Sequence, residues 1–411
     1  MRRALACRDF RLLWISQALS TLGDHIVLVV LALYVNEIGT PTDVGIVLAA
    51  KWLPFAGLLL IGGVWADRLP RQRVMVATDL VRGVAHGLLA VLIVAGDVPI
   101  VAIVAIEGAF GAAQAFFQPA YTGLLPQTVP DDLVQEAQAV TGLTQSASNF
   151  VGPAVGSALF LTVGAAAAFA IDAATFLAGA ALLLVVRARE RSELPAREPM
   201  LRELAGGWRE LRARPWALLV IAYFSFMLMV AIAPFSALGP AVAELGYGEA
   251  AVFGLVSAVT GAGAIAGSVL AVRWRPRRPL FVPMLMLLLE MTGYAGLAAG
   301  LSLWVLVPIF FAGGAGFSTF IVLYDTTLAR EIPPAALSRV SAYDWMGSAG
   351  LLPLGFLIAG PIGEAIGVRE TLAIGASAAV VAGVAVAFAR PIRTFQSEKS
   401  GTPVSGVEAS A

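Results

Sequence analysis

Runs of about twenty apolar residues recur along the whole chain and decide what it can fold into. We count twelve, at approximately 12–35, 43–66, 74–96, 99–125, 139–163, 165–187, 215–239, 250–272, 279–300, 302–325, 340–363 and 368–390. A helix needs about 20 apolar residues to cross the hydrocarbon core of a bilayer. The runs lack the alternation over roughly ten residues that marks a membrane barrel. Composition removes the soluble alternative: 13% of the 411 residues are charged and 59% hydrophobic, against about 25% charged in soluble domains. The mean hydropathy is +0.84. The expectation is an all-α integral membrane protein with twelve transmembrane helices embedded in a lipid bilayer. Asp24 and His25 interrupt the first run and no small-residue cleavage site follows. It therefore reads as an uncleaved span, not a signal peptide.

Basic residues orient the spans. Of the 27 Lys and Arg residues, 24 fall in the N-terminal segment, the even-to-odd turns, the segment 188–214 with its flanks, and the tail. Only Arg369 lies in a loop on the opposite side, and Lys51 and Arg82 lie inside spans. Positive-inside counting puts both termini in the cytoplasm of a cell inner (plasma) membrane. The connection 126–138 is the one cytoplasmic connection without a base, and it carries Asp131, Asp132 and Glu136. Zero net charge argues against a nucleic-acid partner. Cys7 is the single cysteine, and with only His25 and His86 as histidines no metal site or other cofactor is expected. A monomer is expected.

The chain repeats itself across the segment 188–214, which separates six runs from six. At a constant offset Gly111 falls on Gly314, Phe117 on Phe320, Tyr121 on Tyr324 and Pro130 on Pro333. With a small drift Gly152-Pro153 falls on Gly360-Pro361, and Pro70-Arg71 falls on Pro276-Arg277. This is the organisation of secondary transporters built from parallel repeats. It divides the chain into an N-terminal half, 1–187, a cytoplasmic central loop, 188–214, and a C-terminal half, 215–392. The polar tail 393–411 is expected to be disordered.

The turn between the second and third runs, a charged knot, reads GGVWADRLPRQRVM. Its pattern Gly63-x-x-x-Asp67-Arg68-x-x-Arg71-x-Arg73 resembles the signature loop of the major facilitator superfamily, with Pro70 in place of a glycine and Gln72 in place of a base. FRLLWISQALSTLGD, IDAATF and GWRELRARP are similar to segments of its drug, macrolide and siderophore exporter branch. The resemblance implies transport by alternating access, with Asp67 as a cytoplasmic gate latch. Arg68, Arg71 and Arg73 either support the turn or anchor topology. In the fifth run, NFVGPAVGS (149–157) is similar to the superfamily's antiporter-associated glycine-proline motif, with Ser157 in place of its last glycine. Gly152 and Gly156 permit close helix approach, and Pro153 bends a helix.

Ionisable groups inside a membrane cost at least about 2.5–3.5 kcal/mol each, so each needs a reason. Asp24 and Lys51 lie at similar depth, and a buried pair explains both. Alternatively Asp24 sits in an apolar cavity that favours its neutral form and carries protons. Glu107 is the other candidate for proton or substrate coupling. Glu290 and Asp172 read as structural groups. Asp79 and Arg82, spaced i and i+3, suit a local ion pair that braces the cytoplasmic end near the knot.

Candidate cavity residues are Trp52, Phe55, Phe117, Tyr121, Phe224 and Trp345, an aromatic set that suits small lipophilic substrates. No GxxxxGK[ST] phosphate loop is present, so a proton gradient is the expected energy source. The reading is a proton-driven exporter of lipophilic drugs or secondary metabolites. Siderophore export and solute uptake on the same fold stay open, as does a non-transporting receptor or scramblase. An enzyme is not expected.

Overall fold

The computed structural model describes residues 2–96, 98–187, 208–274, 276–332, 340, 343–344, 346–347 and 350–396. Trp345, most of the central loop and most of the tail lie outside the described residues, as do the side chains of Gly63, Asp67 and Arg68. The described chain is helical: α1 (Arg2–Ala6), α2 (Arg8–Ile38), α3 (Pro41–Arg68), α4 (Arg71–Ala95), α5 (Ile100–Leu124) and α6 (Val134–Val185). There follow α7 (Pro215–Met227), α8 (Ala233–Tyr247), α9 (Ala251–Arg273), α10 (Phe281–Ala298), α11 (Leu303–Glu331), α12 (Leu352–Ile366), α13 (Val368–Phe388) and α14 (Arg390–Arg393). A π-helical turn, Leu228–Ile232, joins α7 to α8. Among the described residues ten helices are long and apolar enough to cross a membrane. Hydrocarbon offers backbone groups no partner, so each crossing must satisfy its own hydrogen bonds.

The helices outrun the apolar segments. With 31 residues, α2 spans about 46 Å at 1.5 Å per residue, well beyond the roughly 30 Å hydrocarbon core. Within α6 the backbone breaks at Gly164, where φ is 82°, a conformation that glycine adopts without strain. The break falls between the runs 139–163 and 165–187. The charged knot is tighter than its sequence implies. Helix α3 continues to Arg68 and α4 begins at Arg71, leaving a two-residue link. Arg71 donates to the Gly123 carbonyl at 2.9 Å. Gln72 donates to the Leu183 and Val186 carbonyls at 2.6 and 2.9 Å. Both side chains thus bond carbonyls in the last turns of α5 and α6, which ties the turn to those helix ends.

The acidic connection 126–138 also has a partner. Glu136 accepts from the backbone N–H of Arg3 and of Ala4 at 2.9 and 3.1 Å, and Arg3 pairs with Asp132 at 2.9 Å. These contacts dock α1 on the start of α6.

Helix α2 packs along α6, α3 along α5, and α4 against both α5 and α6. In the second group α9 and α10 pack on α11, and α13 packs on α10. The internal repeat is visible in contacts as well as letters. Gly111 of α5 lies against the Lys51 carbonyl, and Gly314 of α11 lies against the Thr260 carbonyl. The Tyr121 and Thr141 hydroxyls bond at 2.9 Å, while Tyr324 donates to Asp344 at 2.7 Å. Each tyrosine stacks on a phenylalanine one turn earlier: Phe117 at 6.2 Å and Phe320 at 5.8 Å between centroids.

A carboxylate acceptor makes the second bond the stronger one. Tyr324→Phe is expected to cost about 1.5–3 kcal/mol and Tyr121→Phe about 0.5–1.5 kcal/mol. Thermal unfolding in detergent checks the order; equal losses would contradict it.

The two groups meet along α3–α12, α6–α9 and where α2 and α3 touch α8. Gly45 lies against the Phe356 carbonyl and Gly360 against the Pro41–Thr42 backbone. The Thr42 N–H donates to Glu364 at 3.3 Å, and Asn36 donates to Glu244 at 3.4 Å.

Candidate functional site

Asp79, Arg82 and His86 are spaced i, i+3 and i+7 along α4, so one helix face carries all three. Glu107, Phe110, Gln114 and Phe117 make the corresponding stripe on α5. The two faces meet α2 at Asp24, α3 at Lys51 and α6 at Asp172. Close approach makes this possible. A side chain at Gly111 would overlap the Lys51 carbonyl, and one at Gly23 would overlap the Asp172 carboxylate.

Asp24 stands between two cations, 3.5 Å from Lys51 Nζ and 3.6 Å from Arg82 Nη1. These are ion-pair distances, longer than the 2.7–2.9 Å or so of a charge-assisted hydrogen bond. Arg82 also binds Asp79 directly. Its guanidinium lies 4.3 Å from the Phe117 centroid and 4.4 Å from that of Phe176, so aromatic faces replace part of its lost hydration. His86 bonds Asp172 through Nδ1, and its Nε2 lies 3.3 Å from Glu107 Oε1. That second contact is within ion-pair reach without hydrogen-bond alignment, and both Glu107 oxygens lack a hydrogen-bond partner. Asp79, His86, Glu107 and Asp172 are each 0% exposed and Arg82 is 2% exposed. In such low-dielectric surroundings charge interactions are strong even at these lengths.

Beside this cluster opens a cavity walled by α2 to α6. Asp24, Lys51 and Arg82 form its charged rim, with Leu28, Trp52, Phe55 and Phe117 as the apolar wall. Gln17, Gln114, Gln118 and Gln145 face them, with Thr21 and His25 between. The cavity is therefore more polar than the aromatic set read from sequence. Two members of that set do not line it. Tyr121 is buried against Thr141. Phe224 stacks on Phe320 at 5.4 Å within the second helix group, because its helix, α7, packs there.

The structure brings Asp24, Lys51 and Glu107 into one cluster. It moves Arg82 from the expected bracing role into the cavity rim, because α4 turns that face toward α2 rather than toward the knot. His86, the link between Glu107 and Asp172, is the residue the sequence reading missed. The i, i+3, i+7 spacing of three ionisable residues on one span was the available signal. Glu290 stands apart on α10, accepting from Tyr294 at 2.6 Å. In the fifth-span motif, Gly152 lies against His25 and Gly156 against the Ile26 carbonyl, which draws α6 close to α2. Arg71 is tied to α5 and Arg73 is exposed. Among the described residues no cluster could hold a metal ion; His86 holds Glu107 and Asp172 on opposite ring nitrogens, leaving them no common point.

A sequence profile described as the Major Facilitator Superfamily matches residues 13–351. Macrolide efflux protein A of Streptococcus pyogenes is 24% identical over 234 residues, 56% of this chain and 58% of that protein. The MFS-type transporter YfiS of Bacillus subtilis (strain 168) is 27% identical over 170 residues, 41% of this chain and 40% of that protein. The chain thus spans about half the length of these two relatives. YvqJ, an MFS-type transporter of the same strain, is 25% identical over 398 residues, 92% of each protein. The nucleoside transporter NupG superposes with a TM-score of 0.69 at 14% identity, covering 92% of this chain and 98% of that one. A bacterial homologue of the human lysosomal transporter Spinster, inward-facing and unoccupied, gives 0.70 at 16% identity over 94% and 98%. At these identities the likeness is one of fold.

Proposed function

Because the chain belongs to the Major Facilitator Superfamily, a family of transporters and not of enzymes, we propose that it exports small amphipathic organic compounds in exchange for protons. The observation that carries this reading is Asp24, suspended between Lys51 and Arg82 at the edge of the cavity. An ionised Asp24 clamps α2 to α3 and α4 through both cations. A proton on Asp24 removes its charge and loosens the clamp. Substrate and proton can then bind in alternation, as antiport requires. The relatives named for macrolide efflux favour export over uptake. The glutamine wall narrows the lipophilic expectation: it suits polar groups on a compound whose apolar body faces Trp52, Phe55 and Phe117.

Twelve crossings follow when the long helix is divided at Gly164 and the shorter apolar Leu352–Ile366 is added to the ten candidates. Residues 1–187 and 215–392 then act as two six-helix bundles rocking on the α3–α12 and α6–α9 seams. The seam contacts around residues 36–45 lie at the end that the arginine distribution puts outside a cytoplasmic membrane, with both termini inside. This conformer accordingly reads as inward-facing. Asp67 serves as the latch of the opposite gate, with Gly63 and Arg68 beside it in the knot. Arg71 and Arg73 follow in the same turn, and Arg71 holds it against α5. Such a latch must stay within a few kcal/mol for ligands to shift the populations.

The test is accumulation of erythromycin in inverted membrane vesicles under an imposed pH gradient. Wild type is expected to concentrate it. Asp24→Asn is expected to lose at least about tenfold of that accumulation, equivalent to about 1.4 kcal/mol. Accumulation by Asp24→Asn equal to wild type would sink the proton role of Asp24, and movement in the opposite sense would sink export.

A further inference from the structure

We infer that Glu107, His86 and Asp172 form a second proton-binding site of the transporter, buried behind the cavity and loaded by way of Asp24. The inference rests on the proton-coupled reading and extends it from one residue to a site.

Charge balance points there first. Eight ionisable groups of α2 to α6 share this interior: Asp24, Asp79, Glu107 and Asp172 against Lys51, Arg82, His86 and His25, the last of which lines the cavity beside Asp24 and not the trio. An uncompensated charge in such a place costs several kcal/mol. Arg82 never gives up its proton, and with Lys51 it compensates Asp24 and Asp79. Glu107 and Asp172 have only His86 between them. An imidazolium balances one of them, and the other needs a proton of its own. Neutrality of the trio thus calls for two protons beyond the form with a neutral ring and two carboxylates. Those protons have no fixed cation to replace them.

Geometry supplies the connection to the cavity. His86 stacks on Phe110 at 4.2 Å between centroids with the rings 8° apart. Lys51 Nζ lies 4.1 Å from the same centroid. A stacked imidazole fills one face of the ring, so Lys51 occupies the other. One aromatic ring therefore separates the cavity-rim cation from the buried imidazole. On a second side, Gly23 lets α2 press directly against the Asp172 carboxylate, one residue from Asp24. Asp172 Oδ1 and both Glu107 oxygens have no hydrogen-bond partner, which leaves acceptor capacity for an arriving proton. A proton taken from the cavity by Asp24 passes to the trio, leaving Asp24 ionised between its cations. On the ring it makes both nitrogens donors, one toward each carboxylate.

Two readouts test this. The first needs no substrate: protons taken up by the full-length protein in detergent when pH is stepped from about 9 to about 5, a range that brackets ordinary histidine titration. Glu107→Gln, which keeps the shape of the glutamate but removes one carboxylate, is expected to bind about one proton fewer than wild type, because neutrality then calls for one proton in place of two. His86→Gln, which leaves both carboxylates, is read by the second measurement. The second readout is erythromycin in proteoliposomes. His86→Gln should lose at least about tenfold of gradient-driven accumulation while exchange without a gradient continues. A purely structural cluster would leave the proton count unchanged, and an unchanged count in Glu107→Gln overturns the proposal. So does full gradient-driven accumulation by His86→Gln. If wild type does not move erythromycin, the substrate reading fails and the proton count alone decides this one. If His86→Gln fails to fold, Glu107→Gln decides it.

Discussion

Arg82→Ala is expected to remove about 3–5 kcal/mol of stability, the cost of breaking a buried ion pair from one side. Asp79 has no solvent exposure, and Arg82 is its hydrogen-bonded cation. Asp24 would lose one of its two cations in the same step. Removing the side chain also empties the space between Phe117 and Phe176. Arg82→Lys should recover part of the loss, since it keeps a charge but not the planar group that lies against both rings. Arg82→Met combined with Asp79→Asn should recover more, because no charge is then stranded. Thermal unfolding of the detergent-solubilised variants reads all three. An Arg82→Ala protein as stable as wild type would refute the buried cluster.

Gly111→Val carries the second large effect. The glycine lets α5 touch the backbone of α3 at Lys51, and a carbonyl oxygen cannot turn aside as a side chain can. The helices must separate, which puts the cost at or above the usual 1–3 kcal/mol or so for overpacking. The separation would also pull Lys51 off Asp24 and Phe110, so transport should fall even in the fraction that folds. Gly314→Val, against the Thr260 carbonyl, should destabilise to a similar degree. A Cβ added at Gly57 meets open space, and Gly57→Ala should not lower the melting temperature, since surface changes usually fall within about ±0.5 kcal/mol. A Gly111→Val protein that melts with the Gly57→Ala control would show that the helices are not in backbone contact.

The architecture was legible because hydrocarbon leaves a chain so few choices. Length and apolarity mark each crossing, and the Gly164 break falls at the boundary the runs imply. Helix ends were less legible: α2 and α3 continue into the charged ends, where apolarity no longer reports on the backbone. The charged cluster was legible in its members but not in its connections. Asp24, Lys51 and Glu107 stand out because charge is costly in a span. Their joining through Arg82, His86 and Phe110 depends on how α4 and α5 are rotated about their axes. Aromatic residues were the poorest guides: Tyr121 and Phe224 have the right chemistry for a cavity wall but pack inside helix groups, as most membrane aromatics can without altering the pattern of letters.

The seam between the two helix groups has a consequence for what drives the molecule open. Its closest contacts are glycines against backbone, at Gly45 with Phe356 and Gly360 with Thr42. Contacts of that kind depend on fit and not on charge. Added salt, which screens exposed ion pairs within about 10 Å at 0.1 M, should scarcely disturb this seam. Hydrostatic pressure or a thicker bilayer acts on fit and should bias it. The charge latch proposed at Asp67 would give the arginine-rich end the opposite sensitivity, making ionic strength and lipid thickness separate handles on the two ends.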